Sequence, residues 1–455
     1  MKTLLKTVKA KLYSKFEERR GLKRILVNIN WLLLEKISFF FLSFLVGTVT
    51  FRYLGPQNVG KISYAESFVS LFAPLLTLGL EDVAIKELVD RKHEKNKIIG
   101  NVLLLKLFGG LLFLILSIGS SLVFNQNRLN TPLFVLILAT GSLFKIFDVV
   151  NIWFRSEVKC KYSSLTRLIS FAVISSLKLT AVLLAVSPLG FIILTALNSV
   201  LDAILYIYFY QAKAGSVLDW QLSLEYAKKF LSASWPLVIS GLAISIYMRL
   251  DHILIRKLLD ETHLGFYYAA VRIPTLAYFF PQIIAKSVFP AIISAKSRSA
   301  DLYQNRLAFL NSSLTWISIF IAILISSLSG PIIKLIFGPK FSPASSVLSI
   351  YIWTLVFVSF GIIVSKQLVI EKRTVYTLAK TVTGAVVSIA ANLALIPYLG
   401  IIGAAWSAVL AQAASNVISN VFFKETRHIF WQFIKSLNPL RTTKFVKQTL
   451  MNETV

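Results

Sequence analysis

The chain has 455 residues, of which 56% are hydrophobic and 15% charged, and 48 Lys+Arg face 21 Asp+Glu for a formal net charge of +27. Soluble domains carry roughly 45–50% apolar and about 25% charged residues, and here the apolar excess lies in blocks of about twenty residues, each able to cross a ~30 Å hydrocarbon core. This excludes a soluble enzyme built around one core. It also turns the basic excess toward anionic lipid, because no soluble domain is left to hold a nucleic acid.

In chain order, residues 1–24 form a basic amphipathic segment, with Leu4, Leu5, Val8 and Leu12 at helical spacing among Lys2, Lys6, Lys9, Lys11 and Lys15. Such a helix suits an anionic leaflet. It is too charged for a cleavable signal, and no small-residue cleavage site follows. Twelve spans are predicted near 25–51, 62–85, 98–124, 131–154, 165–186, 189–211, 233–258, 264–290, 307–328, 344–370, 374–397 and 400–423. The expected fold is an all-α membrane protein of two pseudo-symmetric six-helix bundles, 25–212 and 233–424. A cytoplasmic linker at 213–232 joins them, and a basic tail at 425–455 follows, with Phe430, Trp431, Phe433 and Ile434 before Arg441, Lys444 and Lys447.

Lys and Arg mark cytoplasmic loops. One set of alternating loops and termini holds 32 of them and the opposite set 7, which places both termini in the cytoplasm. The longest outer connections, near 329–343 and 125–130, are too short for a catalytic domain.

The two halves repeat. Tyr53–Gly60 leading to Ala65 aligns with Leu258–Gly265 leading to Ala270, so that Gly60 matches Gly265, and a Pro-and-Gly turn recurs with Gly190 and Gly400. Six spans per repeat make the repeats parallel, and two such bundles are expected to enclose a central cavity and work by alternating access. Pro74, Pro274 and Pro281 are placed to kink the second and eighth spans.

Nine basic residues remain at membrane depth: Lys36, Lys106, Lys145, Lys178, Arg249, Arg272, Lys286, Lys366 and Lys380. A charge there is costly and therefore a functional candidate. Lys106, Lys178 and Lys380 have snorkelling to a span end as the alternative. Ser245, Arg249, His252 and Arg256 share one helix face, and Arg272 and Lys286 nearly share another. The acids Glu35, Glu66, Asp148, Asp202 and Asp251 are fewer. Lys145 and Asp148, at i and i+3, are spaced for a mutual pair, and Asp251 could equally pair with Arg249 or Arg256 through a neighbouring helix. The surplus predicts an electropositive cavity accepting a phosphate-bearing substrate through Arg249, Arg272, Lys286 and Lys366. The lone Cys160 permits no internal disulfide, His93, His252, His263 and His428 have no metal-ligand spacing, and no P-loop occurs. Neither metal nor cofactor is expected.

Asn30-Trp31 through Glu35-Lys36, Arg52-Tyr53-Leu54-Gly55-Pro56, Tyr64-Ala65-Glu66-Ser67 and Leu78-Gly79-Leu80 resemble bacterial polysaccharide flippases. So do Trp235-Pro236-Leu237, Arg249-Leu250-Asp251, Leu264–Ala270, Asn392, Pro397, Gly400 and Gly403–Trp406. These are the Wzx-type O-antigen and capsule repeat-unit transporters of the multidrug/oligosaccharidyl-lipid/polysaccharide exporter superfamily. The resemblance implies a transporter, not an enzyme, carrying an undecaprenyl-diphosphate-linked oligosaccharide to the outer face of the inner membrane. By analogy Arg52 joins Arg249 and Arg272 at the diphosphate, and Glu66, Asp148 or Asp251 would couple transport to protons or Na⁺. A polysaccharide polymerase and a chain-length regulator would be partners. The rival readings are a lipid II flippase, a MATE-like multidrug antiporter and, with an outer catalytic loop lacking, a membrane polymerase.

Overall fold

The computed structural model describes the backbone of residues 2–125, 130–371, 373 and 375–438. Side chains are described over the same residues except 2–30, 32, 33, 37, 224, 247, 286, 290 and 291. The amphipathic face of the first 24 residues and the tail's Arg441, Lys444 and Lys447 therefore lie outside the described side chains.

Sixteen α-helices are described. They are α1 (Lys2–Thr77), α2 (Leu80–Asp90), α3 (Lys95–Phe124), α4 (Asn130–Leu143), α5 (Val149–Ser156), α6 (Cys160–Leu183), α7 (Pro188–Lys213) and α8 (Leu224–Leu258). The second half holds α9 (Glu261–Ala277), α10 (Phe279–Arg298), α11 (Ala300–Ser327), α12 (Ser329–Phe337), α13 (Ala344–Tyr351), α14 (Thr354–Ile370), α15 (Val375–Asn416) and α16 (Arg427–Ser436). Ten helical stretches are long and apolar enough to cross a membrane. Two of them, beginning at Leu34 and at Val375, are long enough for two crossings, which restores the twelve spans.

Both double stretches bend at a glycine. Gly55 has φ 71 and ψ 170, and Gly400 has φ 60 and ψ −137. A Cβ disfavours both conformations, so the chain turns at these positions without a loop. Gly190, paired with Gly400 by the sequence repeat, behaves differently. It lies inside the first turn of α7, and the reversal there is made by Ala185 at φ 52.

The broken helices recur more faithfully. The second span stops at Leu78–Gly79 and the eighth at Tyr278, each four residues beyond a proline, with Leu78 N–H donating to Pro74 O and Tyr278 N–H to Pro274 O. The fourth span of each half is also interrupted, by the 3₁₀ turn Phe144–Asp148 in the first and at 352–353 in the second. The connection 329–343, expected as a loop, instead holds α12, which buries Ile333 and Phe337.

The chain divides into two compact units. The first comprises 1–50 and 72–241, the second 51–71 and 242–455. In the first, α7 packs on α4 and α6, and α3 on α4. Its core gathers Leu80, Ala84, Ile98, Ile99, Val150, Phe154, Tyr210 and Phe230. In the second, α14 packs on α15 and α11, and α9 on α13. One core there joins Leu355, Phe360, Val364, Ile429 and Phe433, so α16 is seated on the second unit.

The segment 51–71, from the first sequence repeat, folds with the second unit. There the two aligned glycines meet each other's junction. A Cβ on Gly60 would lie 1.7 Å from Glu261 O, and one on Gly265 would lie 1.9 Å from Pro56 O. Only glycine permits this reciprocal backbone approach.

Candidate functional site

Each unit buries its own set of titratable side chains. In the first, α3, α6, α7 and the Phe144–Asp148 turn surround a cavity of about 340 Å³, lined in part by Lys106, Lys145, Asp148, Arg167, Asp202 and Tyr206. Arg167 is its hub. Its Nη1 lies 3.3 Å from Glu35 Oε1, its Nη2 lies 3.7 Å from Asp148 Oδ1, and its Nε donates to Tyr206 Oη at 3.2 Å. Ser164 Oγ donates to Glu35 Oε2 at 2.8 Å. Asp202 accepts from Ser170 Oγ and, at 3.3 Å, from Asn198 Nδ2.

Lys106 is 3% exposed and has no hydrogen-bond or ion-pair partner among the described residues. The acidic charge that acts on it is Asp148. Snorkelling is thereby corrected, because the side chain lies inside the unit. Arg167 is corrected too: counted in the basic loop 155–167, it is the eighth residue of α6 and pairs with acids from two other elements. Lys36 also lies 3.5 Å from Glu35 Oε1, so four cations (Lys36, Lys106, Lys145, Arg167) meet three carboxylates (Glu35, Asp148, Asp202) in and beside this cavity.

In the second unit Asp251 on α8 is nearly buried. Its Oδ1 accepts from the backbone N–H of His252 at 2.8 Å and lies 2.7 Å from His252 Nδ1, while Oδ2 accepts from Tyr267 Oη at 2.6 Å. Arg256 instead meets Glu261 at 2.9 Å and lies over the Tyr64 ring at 5.1 Å. The expected pairing of Asp251 with Arg249 or Arg256 is thus replaced by His252 and Tyr267. A small cavity of about 40 Å³ adjoins Asp251, lined also by Tyr351, Ser388, Asn392 and Gln412. Asn392 donates to Ser388 O at 2.8 Å, and its Oδ1 is buried without a partner among the described residues.

The basic residues expected to bind substrate distribute as follows. Arg249 on α8 is half-buried and has no carboxylate partner among the described residues. Arg272 on α9 lies 5.1 Å over the Phe51 ring. Tyr268 brings these together with Glu66: its hydroxyl donates to Glu66 Oε2 at 2.8 Å, and the charges of Arg249 and Arg272 both act on it. Arg52 caps the C-terminal end of α12 by donating from Nε to Ile336 O at 2.9 Å and from Nη2 to Leu335 O. A cation there complements the helix dipole. Lys366 on α14 lies 5.1 Å over the Phe289 ring, away from any carboxylate among the described residues. The side chain of Lys286 lies outside the described residues. Lys380 on α15 is 5% exposed and has no hydrogen-bond or ion-pair partner among the described residues, another cation drawn inside.

Twelve apolar crossings in two halves, enclosing ionisable clusters that no soluble core would tolerate, define a multi-pass membrane protein of transporter type. The solved structures agree. An inward-facing multidrug resistance MATE family transporter of the MOP superfamily superposes with TM-score 0.73 at 17% identity, over 87% of this chain and 96% of that one. Lipid II flippase MurJ in an inward closed conformation gives TM-score 0.69 at 16% identity, over 89% and 91%. The chain belongs to the family described as "Polysaccharide biosynthesis protein", whose model matches residues 25–296. It is 25% identical over 407 residues to the "Probable low-salt glycan biosynthesis flippase Agl15" of Haloferax volcanii, covering 86% of this chain and 82% of that protein.

Proposed function

We propose that the protein is a flippase, not an enzyme, that moves an undecaprenyl-diphosphate-linked oligosaccharide repeat unit across the cytoplasmic membrane by alternating access. The observation that carries this reading is the uncompensated positive charge of Arg249. The nearest acid in sequence, Asp251, is already satisfied by His252 and Tyr267, and Arg256 is satisfied by Glu261. A half-buried guanidinium left without a carboxylate among the described residues is matched by an anion carried on the substrate. A diphosphate presents the oxygens that an arginine fork engages. Family membership and the likeness to a probable glycan biosynthesis flippase of Haloferax volcanii support a glycan as the cargo.

Arg272, beside Arg249 through Tyr268, is the second diphosphate ligand, with Lys286 and Lys366 as further cavity cations. Arg52, already committed to the end of α12, acts there as a structural clasp that substrate would have to displace. A multidrug cation antiporter would need surplus carboxylates where this unit has surplus cations. The likeness to MurJ makes a lipid II carrier the reading to test against.

Coupling is assigned to carboxylates. Asp251 shares a small cavity with the orphaned Asn392 Oδ1, which would add an oxygen ligand for Na⁺ or a proton site, although both Asp251 oxygens, like Asp148 and Glu66, already have protein partners that the ion would have to join or displace. Both termini in the cytoplasm, and a polymerase with a chain-length regulator on the outer side, complete the proposed setting. Reconstitution with defined lipid-linked oligosaccharides tests it. Transbilayer movement that Arg249→Gln abolishes in a correctly folded protein supports it, and undiminished movement rejects it.

A further inference from the structure

The first unit carries a second cavity unrelated to the Arg167 network. Its volume is about 240 Å³, and Lys92, Lys95, Lys159 and Lys213 line it with a single carboxylate, Glu157, and the ring of Trp153. These residues come from three connections far apart in sequence: the α2–α3 turn, the α5–α6 turn and the end of α7. All three belong to the loop set that holds 32 of the chain's basic residues. The cavity therefore opens at the membrane boundary on the basic face of the protein.

Its lysines are held in place. Lys95 Nζ donates to Ala214 O at 2.7 Å. Lys159 Nζ sits 4.9 Å above Trp153, and Lys213 Nζ sits 5.8 Å from the Tyr162 ring centre. Only Lys92 meets a carboxylate among the described residues, Glu157 at 3.7 Å. Trp153 is 5% exposed and packs edge-on against the fully buried Tyr210 at 5.3 Å. Tyr210 in turn accepts a hydrogen bond from Trp220 Nε1 at 3.0 Å, so the aromatic floor is rigid. Four lysines that line one cavity with a single carboxylate among them repel one another. Lysines that served only as solvated surface charge would splay apart.

A second, independent feature marks the same place. Val158, between Glu157 and Lys159, has φ 56, a left-handed conformation that a β-branched side chain resists. The turn is locked by Lys159 N–H donating to Phe154 O at 2.8 Å, the helix-ending arrangement that glycine usually serves. Backbone strain of this kind persists where the surroundings hold it, and it gathers at binding sites. Here it sets Glu157 and Lys159 on either side of the kink, both lining the cavity. Exposed Val89 and Val158 stand beside the lining residues Leu88, Glu157 and Lys159, as apolar rim for a chain arriving from the membrane.

We propose that this cavity is a binding site for a phosphate group, the headgroup of an anionic membrane lipid, separate from the transported substrate. Lysines act on phosphate as point charges, and basic pockets at this depth are suited to anionic headgroups. The inference does not depend on which glycan is carried, or on whether one is carried.

Native mass spectrometry of the full-length protein in detergent, titrated with phosphatidylglycerol or with phosphatidylcholine, tests it. The wild type should retain phosphatidylglycerol selectively. Each of Lys95→Gln, Lys159→Gln and Lys213→Gln should weaken retention about fivefold and the triple variant about a hundredfold. Lys213→Arg should restore most of it, because the charge is kept. Lys213 is exposed, so its single variants remain informative if the triple variant fails to fold. Competition with inorganic phosphate separates the two sources of the same chemistry. Retention unaffected by millimolar phosphate assigns the site to a lipid headgroup, and displacement assigns it to soluble phosphate, which overturns the lipid assignment. Equal retention by the wild type and the three-lysine variant, or an equal loss on neutralising Lys228, Lys296 and Lys435 instead, would overturn the site.

Discussion

The two units hold charge in different ways. In the first, Arg167 is surrounded by Glu35, Asp148 and Tyr206, and Lys36 also meets Glu35, so most of the charge in and beside the cavity is paired. In the second, the acids are answered locally by His252, Tyr267, Tyr268 and Arg256, and Arg249, Lys366 and Lys380 are left over. A network of paired charges holds its shape, whereas cations without a carboxylate call for a counter-charge from outside. We therefore propose that ligand recognition lies in the second unit, with the first as a scaffold that tolerates ionisable groups mostly by pairing them.

Four tests probe that difference, in descending order of expected effect. The largest effect is expected from Arg249→Gln with Arg272→Gln, which removes the two proposed diphosphate ligands. Flipping in proteoliposomes should fall by about a hundredfold or more, as when one side of a desolvated charge pair is lost, while expression and thermal stability hold. Next, Arg167→Leu removes the ion pairs to Glu35 and Asp148, leaving Glu35 with Lys36 and Ser164, and should cost about 1–3 kcal/mol, read as a fall in melting temperature. Lys106→Met in the same cavity should do the reverse. It deletes a buried cation without a direct partner among the described residues, so thermal stability should be unchanged or higher. If both variants destabilise equally, the description of the first unit as a network centred on Arg167 fails.

Third, Gly265→Val drives a side chain into Pro56 O, and should cost about 1–3 kcal/mol by forcing the two junctions apart. The same change at Gly119, where nothing lies within 4 Å, is the control for the glycine itself. The smallest effect belongs to Asp260, whose Oδ1 accepts from His263 N–H at 2.8 Å at the start of α9. Asp260→Ala should cost about 1 kcal/mol. Partial burial pushes the Asp260 carboxyl up, but the N–H and imidazole of His263 outweigh it and hold the group below its ordinary value. A carboxyl that binds protons less well folded than unfolded stabilises above the ordinary aspartate range, near 4, and that gain is lost as pH falls through it. The melting temperatures of wild type and Asp260→Ala should therefore converge on acidification.

Much of this was legible in the sequence because hydrocarbon thickness and helical rise leave little freedom. The twelve spans, the paired glycines at 60 and 265 and the proline-linked breaks follow from length, chain reversal and a missing N–H. Arg249 stood out for the same reason, since charge at that depth is rare. Arg167 did not. Eight residues into α6, it reads from sequence as one more base in a basic loop, and its role depends on Glu35 more than a hundred residues away. The replacement of Arg249 by His252 as the neighbour of Asp251 turns on side-chain direction rather than spacing. The membership of 51–71 in the second unit rests on contacts, such as Arg52 with the end of α12, that span 284 residues of sequence. Periodicity carries no information at that range.

The central claim is that surplus positive charge in the second unit binds the diphosphate of a lipid-linked glycan. The most direct measurement is transbilayer movement of a defined undecaprenyl-diphosphate oligosaccharide in proteoliposomes, with wild type, Arg249→Gln and Arg249→Lys compared at equal protein. Wild-type movement that is lost in the glutamine variant and partly kept in the lysine variant is the predicted result. Equal movement by all three, or movement of a neutral glycolipid at the same rate, would contradict it.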